Sequence, residues 1–359
     1  MKKLRVCGAN DTFGALNLIL DVLEGNCAGF ISAPEVNGVL PEVFLPEEVA
    51  DDVGLIVESS GSTGSPKQIE LSVAALRHSA TASLARLGGP GQWLLALTPQ
   101  FIAGVNVLTR SVLSDSQPVI MNTQVPFTTE AFVRGASLME GERRYTSLVP
   151  AQLQRIAAEV DSDAFLFSTL RKFDAILVGG QAADFALVES LRAKGINIIL
   201  SYGMAETSGG CVYDGVALDG VAIKIVNGLI EISGPVVANG LGGSYLSNDL
   251  GEMVDGKLKV LGRADRVIVS GGLKVSLERV EEAALAIAGV EEVAACAVES
   301  EWGQSVGIVY SGSPEVSFEQ LTEAISPAAK ARKVLRVEAL PRLSSGKPDL
   351  VACSKLLAD

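Results

Sequence analysis

The run Glu58-Ser59-Ser60-Gly61-Ser62-Thr63-Gly64-Ser65-Pro66-Lys67 gathers small residues, hydroxyls and a cation into one short stretch. Gly61 and Gly64 let backbone N–H groups come close to an anion, the hydroxyls donate to phosphate oxygens, and Lys67 neutralises charge as phosphates arrive. A polyphosphate is the guest such a run suits. It is not the Walker loop, in which a Gly-Lys pair enters a helix directly, because Pro66 precedes this lysine and Gln68 follows it. A flexible Ser/Gly surface turn is the other reading of the same residues.

Further along, Ser201-Tyr202-Gly203-Met204-Ala205-Glu206-Thr207 offers Tyr202 as a flat face for a base and Glu206 as an oxygen ligand for Mg²⁺, a hard cation that bridges phosphates. The plainer readings are a rim aromatic and a solvated carboxylate. Asp249, on a turn, is suited to accept two hydrogen bonds from a ribose diol, although turn aspartates commonly bond their own backbone. His78 is the chain's one histidine, which argues against a zinc site or a histidine-based triad.

These residues need a scaffold, and the apolar periodicity supplies one. Residues 53–57 read as a buried strand and 73–87 as a helix capped by Ser72. Strands follow at 93–97, from 118, at 145–149, 175–178 and 196–200, interleaved with helices at 105–113, 150–159 and 184–194. This alternation predicts layered α/β structure with largely parallel strands, whose carboxyl ends gather ligands. Three such ends, leading into residues 58–67, 179–182 and 201–207, are expected to converge. The first fifty residues give a helix at 15–23 and turns around Pro34, Pro41 and Pro46, with nothing chemical.

After residue 220 the pattern changes to short strands (222–225, 229–232, 244–251) and glycine turns. Gly262-Arg263-Ala264-Asp265-Arg266 leads into residues 267–275, then a helix at 277–288, strands at 293–298 and 305–310, a helix at 318–331, a strand at 334–337 and a turn at 340–347. The expected organisation is a large layered α/β N-terminal domain, 1–264, and a small mobile α+β C-terminal domain, 265–359.

Hydrophobic residues make up 48% of the chain and charged ones 20%, the balance of a globular protein. A net charge of -13 argues against nucleic-acid or anionic-membrane surfaces, so an anionic ligand needs local cations. The cysteines at 7, 27, 211, 296 and 353 include no C-x-x-C pair and suit reduced thiols in a cytoplasm. Met1-Lys2-Lys3-Leu4-Arg5 starts like a signal peptide, but Asn10 and Asp11 interrupt it, and no apolar run reaches the ~18 residues of a spanning helix. No membrane insertion is expected; oligomeric state, homo-oligomers included, is left open.

In sequence order, Ser59 to Lys67, Tyr202-Gly203-Met204-Ala205-Glu206, Asp249, Gly262-Arg263-Ala264-Asp265 and Pro341 to Lys347 resemble the motifs of the adenylate-forming enzymes, the acyl-CoA synthetase and luciferase superfamily. The likeness covers nearly the whole chain. It implies ATP, Mg²⁺ and coenzyme A as cofactor and co-substrates, with a small-molecule carboxylic acid. It further implies ATP binding by Ser59, Ser60, Gly61, Ser62, Thr63, Gly64, Lys67, Gly180, Gln181, Tyr202, Gly203, Asp249 and Arg263, with Glu206 on the metal and Lys347, Glu206 and Lys67 catalytic. Asp265 becomes the hinge, Gly272 and Lys274 serve the thiol half-reaction, and Phe101, Gly104, Gln152, Gly203, Met204 and Gly209 surround the acid. Residues 147–153 and 202–215 resemble the branch that joins an aromatic dicarboxylic acid to coenzyme A. Arg110 and Arg155 are candidates for its second carboxylate, or equally helix-surface charges. Departures are Ala205 where the superfamily has Thr or Ser, Phe101 where close relatives have His, Asn248 before Asp249, and Asp349-Leu350 after the C-terminal motif. The same chemistry on another aromatic or aliphatic acid, or a non-catalytic nucleotide-binding relative, are the alternatives.

Overall fold

Apolar runs bounded by glycine and polar turns become strands in the computed structural model, which describes residues 1–37, 39–41, 43–59, 67–300, 303–313, 327–343 and 347–358. The first sheet has the order β3-β1-β2-β4-β5, with β1 (Lys2–Gly8), β2 (Ala28–Ser32), β3 (Glu48–Val49), β4 (Val53–Ser59) and β5 (Lys67–Ser72). Its central strands β1, β2 and β4 are parallel, and β3 and β5 close the edges antiparallel. The basic start of the chain is thus a strand, and helix α1 (Thr12–Glu24), capped by Asp11 and ended by Gly25 at φ 82°, buries Ala15, Leu18, Ile19, Val22 and Leu23.

The second sheet runs β12-β11-β10-β9-β8-β6-β7, built from β6 (Gln92–Leu95), β7 (Val119–Ile120), β8 (Arg144–Leu148), β9 (Ala175–Gly179), β10 (Ile198–Met204), β11 (Gly209–Tyr213) and β12 (Val216–Ala217). It is parallel from β7 to β10; β11 and β12 turn back antiparallel. Both faces are covered, which is why its strands read as continuous apolar runs. Trp93, Leu95, Ala175 and Leu177 join the core formed with the first sheet, α1, α2 (Val73–Arg86) and α3 (Ile102–Leu113). Leu94, Leu148, Ile176 and Val178 point the other way, onto α4 (Thr129–Ser137), α5 (Pro150–Glu159), α6 (Ala164–Leu170) and α7 (Phe185–Ala193).

A four-stranded sheet follows, in the order β13 (Ala222–Val226), β14 (Leu229–Ser233), β15 (Ser244–Val254), β16 (Lys257–Arg263). Next come the hairpin of β17 (Val267–Ser270) and β18 (Leu273–Ser276), helix α8 (Leu277–Leu285), and a three-stranded sheet of β19 (Val290–Ser300), β20 (Gly303–Gly312) and β21 (Ala331–Arg336); α9 (Leu350–Ala358) ends the described chain. The chain divides into two compact units. One comprises Met1–Lys224, Glu231–Leu246 and Met253–Lys259, the other Ile225–Ile230, Ser247–Glu252 and Val260–Asp359.

The helix expected over 318–331 lies largely outside the described residues, and its described end is different. Pro327–Ala329 forms a 3-10 turn and Ala331 opens β21, paired in parallel with Val306 of β20. Alanines that favour helix in isolation are overridden there by the sheet edge. The helix expected to 288 stops at Leu285. Among the described residues no helix is long and apolar enough to cross a membrane.

Candidate nucleotide and acid site

Within the first unit the focal element is the reversal between β10 and β11. Antiparallel pairing of Gly203 with Gly210 and Met204 with Gly209 forces a tight turn, taken by the 3-10 segment Ala205–Thr207. The Thr207 hydroxyl staples it, accepting from Met204 N at 3.0 Å and donating within reach of Gly209 O at 2.9 Å. Ser208 then adopts φ 52°, a left-handed conformation costing about 1–3 kcal/mol for a non-glycine residue. Side chains from two helices hold it there. Ser79 Oγ (3.0 Å) and Asn106 Nδ2 (2.9 Å) both donate to Ser208 O, and Ser208 Oγ donates to Val236 O at 2.8 Å. Close approach leaves no room for side chains: a Cβ on Gly203 would sit 2.0 Å from Gly209 O, and one on Gly209 2.0 Å from Asn106 Nδ2.

Glu206 rides on this locked turn. Its backbone O accepts from Ala238 N at 2.9 Å, and its half-buried carboxylate accepts from Tyr245 Oη at 3.3 Å. The turn packs against β4 and β5, and Asn239 N donates to Glu70 O of β5 at 2.9 Å, so Glu206 stands beside that hairpin. Ser59 and Lys67 face each other as the last paired residues of β4 and β5. Of the hydroxyl-rich run between them, Ser60, Gly61, Ser62, Thr63 and Gly64 lie outside the described residues. β4 belongs to the first sheet, while β9 and β10 are neighbours in the second, where Gly179 pairs with Ser201. A Cβ on Gly179 would meet Ser201 O at 2.4 Å, and Gly180 follows at φ 83° with exposed Gln181 beside it.

The residues assigned to the acid divide by environment. Gly209 and Met204 belong to the turn. Gly104 is buried in α3 where a Cβ would lie 2.2 Å from Thr98 O, so helix packing demands glycine, and Phe101 stands at that helix's N-cap. Gln152 spends both ends of its amide, accepting from Val149 N at 3.1 Å and donating to Ala96 O at 2.9 Å. Arg155 is exposed and donates to Phe127 O. Arg110 is not the helix-surface charge that was one reading of it: only 3% of it is exposed, its guanidinium lies 5.0 Å from the Trp93 ring centroid, and Nη2 donates to Tyr213 Oη at 3.2 Å. Arg110 Nε has no partner and, among the described residues, no carboxylate pairs with this cation.

In the second unit Asp249 lies within β15 and not on the turn expected of it; its N–H donates to Ser247 Oγ at 3.1 Å, and Arg263 Nη1 lies 3.6 Å from its carboxylate. Arg263 also grips Asp265 through Nε (2.8 Å) and Nη2 (2.5 Å), which holds the Asp265 carboxyl below the usual range. Arg266 binds Glu281 at 2.5 Å. Gly271 and Gly272, at φ 57° and 81°, form the two-residue turn of the β17–β18 hairpin, with exposed Lys274 on β18. Lys347 is half-buried. Burial, then the nearby charge of Arg263, pushes its ammonium below the ordinary lysine range, against an opposing pull from Asp249.

Sequence reasoning passed over Ser79, Ser83, Asn106 and Tyr213. The available signal was polar residues at buried helical spacing: Ser79 and Ser83 on α2, Asn106 and Arg110 on α3.

A nucleotide-handling α/β enzyme is what this arrangement defines, and residues 5–237 match the AMP-binding enzyme family, to which the chain belongs. Over 382 aligned residues the chain is 36% identical to the probable 2-succinylbenzoate–CoA ligase of Mycobacterium tuberculosis, covering 100% of this chain and 99% of that one. It is 28% identical over 354 residues to the 2-succinylbenzoate–CoA ligase of Bacillus licheniformis, covering 87% and 72%. Among solved structures, o-succinylbenzoate CoA synthetase from Bacillus subtilis in complex with the acyl-adenylate intermediate shares the fold at TM-score 0.75 and 23% identity, over 94% of this chain and 80% of that one.

Proposed function

We propose that the protein is an AMP-forming acid–thiol ligase that activates o-succinylbenzoate with ATP and passes the acyl group to coenzyme A, the reaction for which its relatives are named. The resemblance of residues 147–153 and 202–215 supports the same acid, and with it a place in menaquinone biosynthesis. The observation that carries the acid is Arg110. A buried cation without a carboxylate partner costs several kcal/mol, roughly, and an arginine retained on those terms calls for an incoming anion. The second carboxylate of an aromatic dicarboxylic acid supplies it.

In the first half-reaction a carboxylate oxygen bonds to the α-phosphorus of ATP as the bond to pyrophosphate breaks. Two anions meet, so positioned cations provide most of the relief. In this reading Lys347 stands between carboxylate and α-phosphate, and Lys67 with the hydroxyls of Ser59, Ser60, Ser62 and Thr63 receives the leaving pyrophosphate. Tyr202 stacks on the base, Gly180, Gln181 and Gly203 flank the nucleotide, and Asp249 accepts from the ribose diol beside Arg263. A single carboxylate on a fixed turn suits Mg²⁺, which is held by one or two carboxylates together with substrate phosphates. Glu206 would hold the ion, which supplies charge neutralisation at the phosphate oxygens.

In the second half-reaction the thiolate of coenzyme A bonds to the acyl carbon and AMP departs with the electron pair of the C–O bond. A bulky thiol needs the space Lys347 held, so rotation of residues 265–359 against 1–264 about Asp265 would bring Gly272 and Lys274 into play. Free thiols at all five cysteines suit a cytoplasmic location. ATP–pyrophosphate exchange tests the reading. Exchange stimulated by o-succinylbenzoate is expected; stimulation only by another acid would reassign the substrate, and tight ATP binding with no exchange would leave a non-catalytic relative.

A further inference from the structure

We infer that Tyr213 and Ser83 are positioning residues for Arg110 and thereby set the preference of this site for a dicarboxylic over a monocarboxylic aromatic acid; the inference rests on the reading of Arg110 just given. Tyr213 is 2% exposed and closes β11, the strand that begins at Gly209 directly after the Glu206 turn. Its hydroxyl accepts from Arg110 Nη2 at 3.2 Å and lies 2.7 Å from Ser83 Oγ. A phenolic oxygen that accepts from a guanidinium can still give its own proton or accept a second one, and Ser83 Oγ stands at the distance for either. The chain of hydrogen bonds therefore runs from α2 through β11 to α3.

The guanidinium is constrained in two ways. The Trp93 ring, 5.0 Å away, holds its face and tolerates rotation in the plane, since a cation–π contact is set by the ring's quadrupole and not by any one N–H. The Tyr213 hydroxyl removes that rotation by fixing Nη2, which leaves Nε, buried and unpartnered, in a defined direction. A planar fork of donors recognises a carboxylate only when its orientation is set beforehand. A scaffold alone would not need these groups: phenylalanine fills the space of Tyr213, and an apolar residue in place of a buried arginine is often neutral or stabilising. The hydroxyl pair makes sense as an orienting device, carried on the strand that also carries the nucleotide turn.

The test is adenylation by Tyr213→Phe, Ser83→Ala and Arg110→Gln, read as ATP–pyrophosphate exchange with o-succinylbenzoate and with 3-benzoylpropionate, which lacks the ring carboxylate. Tyr213→Phe is expected to raise KM for o-succinylbenzoate about tenfold, the loss of one charge-assisted hydrogen bond, while kcat and KM for ATP and for 3-benzoylpropionate hold within about twofold. Ser83→Ala moves the same KM in the same direction by less. Arg110→Gln abolishes the preference between the two acids. If Arg110→Gln leaves that preference intact, the reading of Arg110 itself fails. If Arg110→Gln removes it while Tyr213→Phe and Ser83→Ala shift both acids equally, or neither, the positioning role alone is overturned. Should Tyr213→Phe not fold, Ser83→Ala decides the question by the same ratio.

Discussion

The two stretches from which the proposed reaction asks most are made of different chemistry. The Ala205–Thr207 turn and Ser208, in the first unit, are held by neutral hydroxyl and amide groups, with Thr207 and Ser208 fully buried. The segment from Arg263 to Arg266, in the second unit, is held by ion pairs, and Arg263 and Asp265 keep 39% and 37% of their side chains exposed. A buried neutral bond cannot be exchanged without leaving an orphaned donor or acceptor, at about 1–3 kcal/mol. An exposed ion pair is worth about 0–1 kcal/mol, because water and salt compete for it. The first chemistry fixes a geometry; the second lets a backbone change partners cheaply. The contrast sharpens toward Arg266, whose partner Glu281 also accepts from Ala295 N at 2.8 Å and is mostly covered, so that burial pushes its carboxyl up against the pull of Arg266. The exchangeable pair lies at Arg263 and Asp265, the anchored one next to it.

The comparison is broken most directly at Lys347. Lys347→Ala is expected to lower adenylation by about 10²-fold or more, the usual result of deleting one positioned charge, while preformed acyl-adenylate is still consumed with coenzyme A. Rapid-quench assays of the two steps read this separately, and equal losses in both would dismiss the idea that the second unit serves them in turn.

The neutral clamp should respond in the opposite way. Asn106→Ala strips one of two donors from the carbonyl of Ser208, a residue whose left-handed backbone depends on them. A fall of about tenfold in each half-reaction and a loss of about 1–3 kcal/mol in denaturant-measured stability are expected. A change confined to one half-reaction would contradict the view that this turn serves as a fixed reference for both.

Asp265→Asn is the milder counterpart. It removes the charge that Arg263 grips through two nitrogens, yet stability should move by no more than about 1 kcal/mol, since both side chains are part-exposed. The two half-reactions should change unequally, by a few-fold, and the inequality should shrink as salt is raised. Equal rate changes, indifferent to salt, would show that the pair only stiffens the fold.

Much of this was legible in the chain itself. The strands at 53–59 and 175–179 showed as apolar runs because both faces of their sheets are covered, and α5 began where expected because Pro150 stands at its first position. The reversal near 201–207 showed in part: β10 runs on to Met204 and the turn is only Ala205–Thr207, flanked by Gly203 and Gly209, whose missing Cβ atoms make room for Gly209 O and Asn106. Less visible was β1, whose alternation of Lys, Leu, Arg and Val reads as a basic tail until a parallel neighbour pairs with it. The Arg110 cluster stayed hidden for a related reason. Its members come from β6, α2, α3 and β11, and nothing in local spacing says that Ser83 and Tyr213 will meet 130 residues apart. Periodicity reports which face is apolar; it is silent about which buried polar groups find one another.

The finest test concerns the protonation of Lys347. Burial first, and the charge of Arg263 second, hold its pKa below the ~10.4 of an exposed lysine, with Asp249 opposing. A cation that must stand between two anions is present only below its pKa, so kcat/KM for adenylation should fall with rising pH at a point below that of an ordinary lysine. The effect on stability has the matching sign. Between the depressed folded value and the unfolded one the unfolded chain holds the extra proton, so stability rises with pH through that window. Arg263→Gln removes a positive neighbour and should move the alkaline limb upward; Asp249→Asn removes a negative one and should move it downward. Both substitutions lower the absolute rate through their roles at the nucleotide, so the position of the limb is the readout. The coenzyme A step, measured from preformed acyl-adenylate, should show no such limb in either variant. A limb that stays in place when Arg263 is neutralised would mean that the charges around Lys347 do not tune it, and that the ion pairs of this unit act on geometry alone.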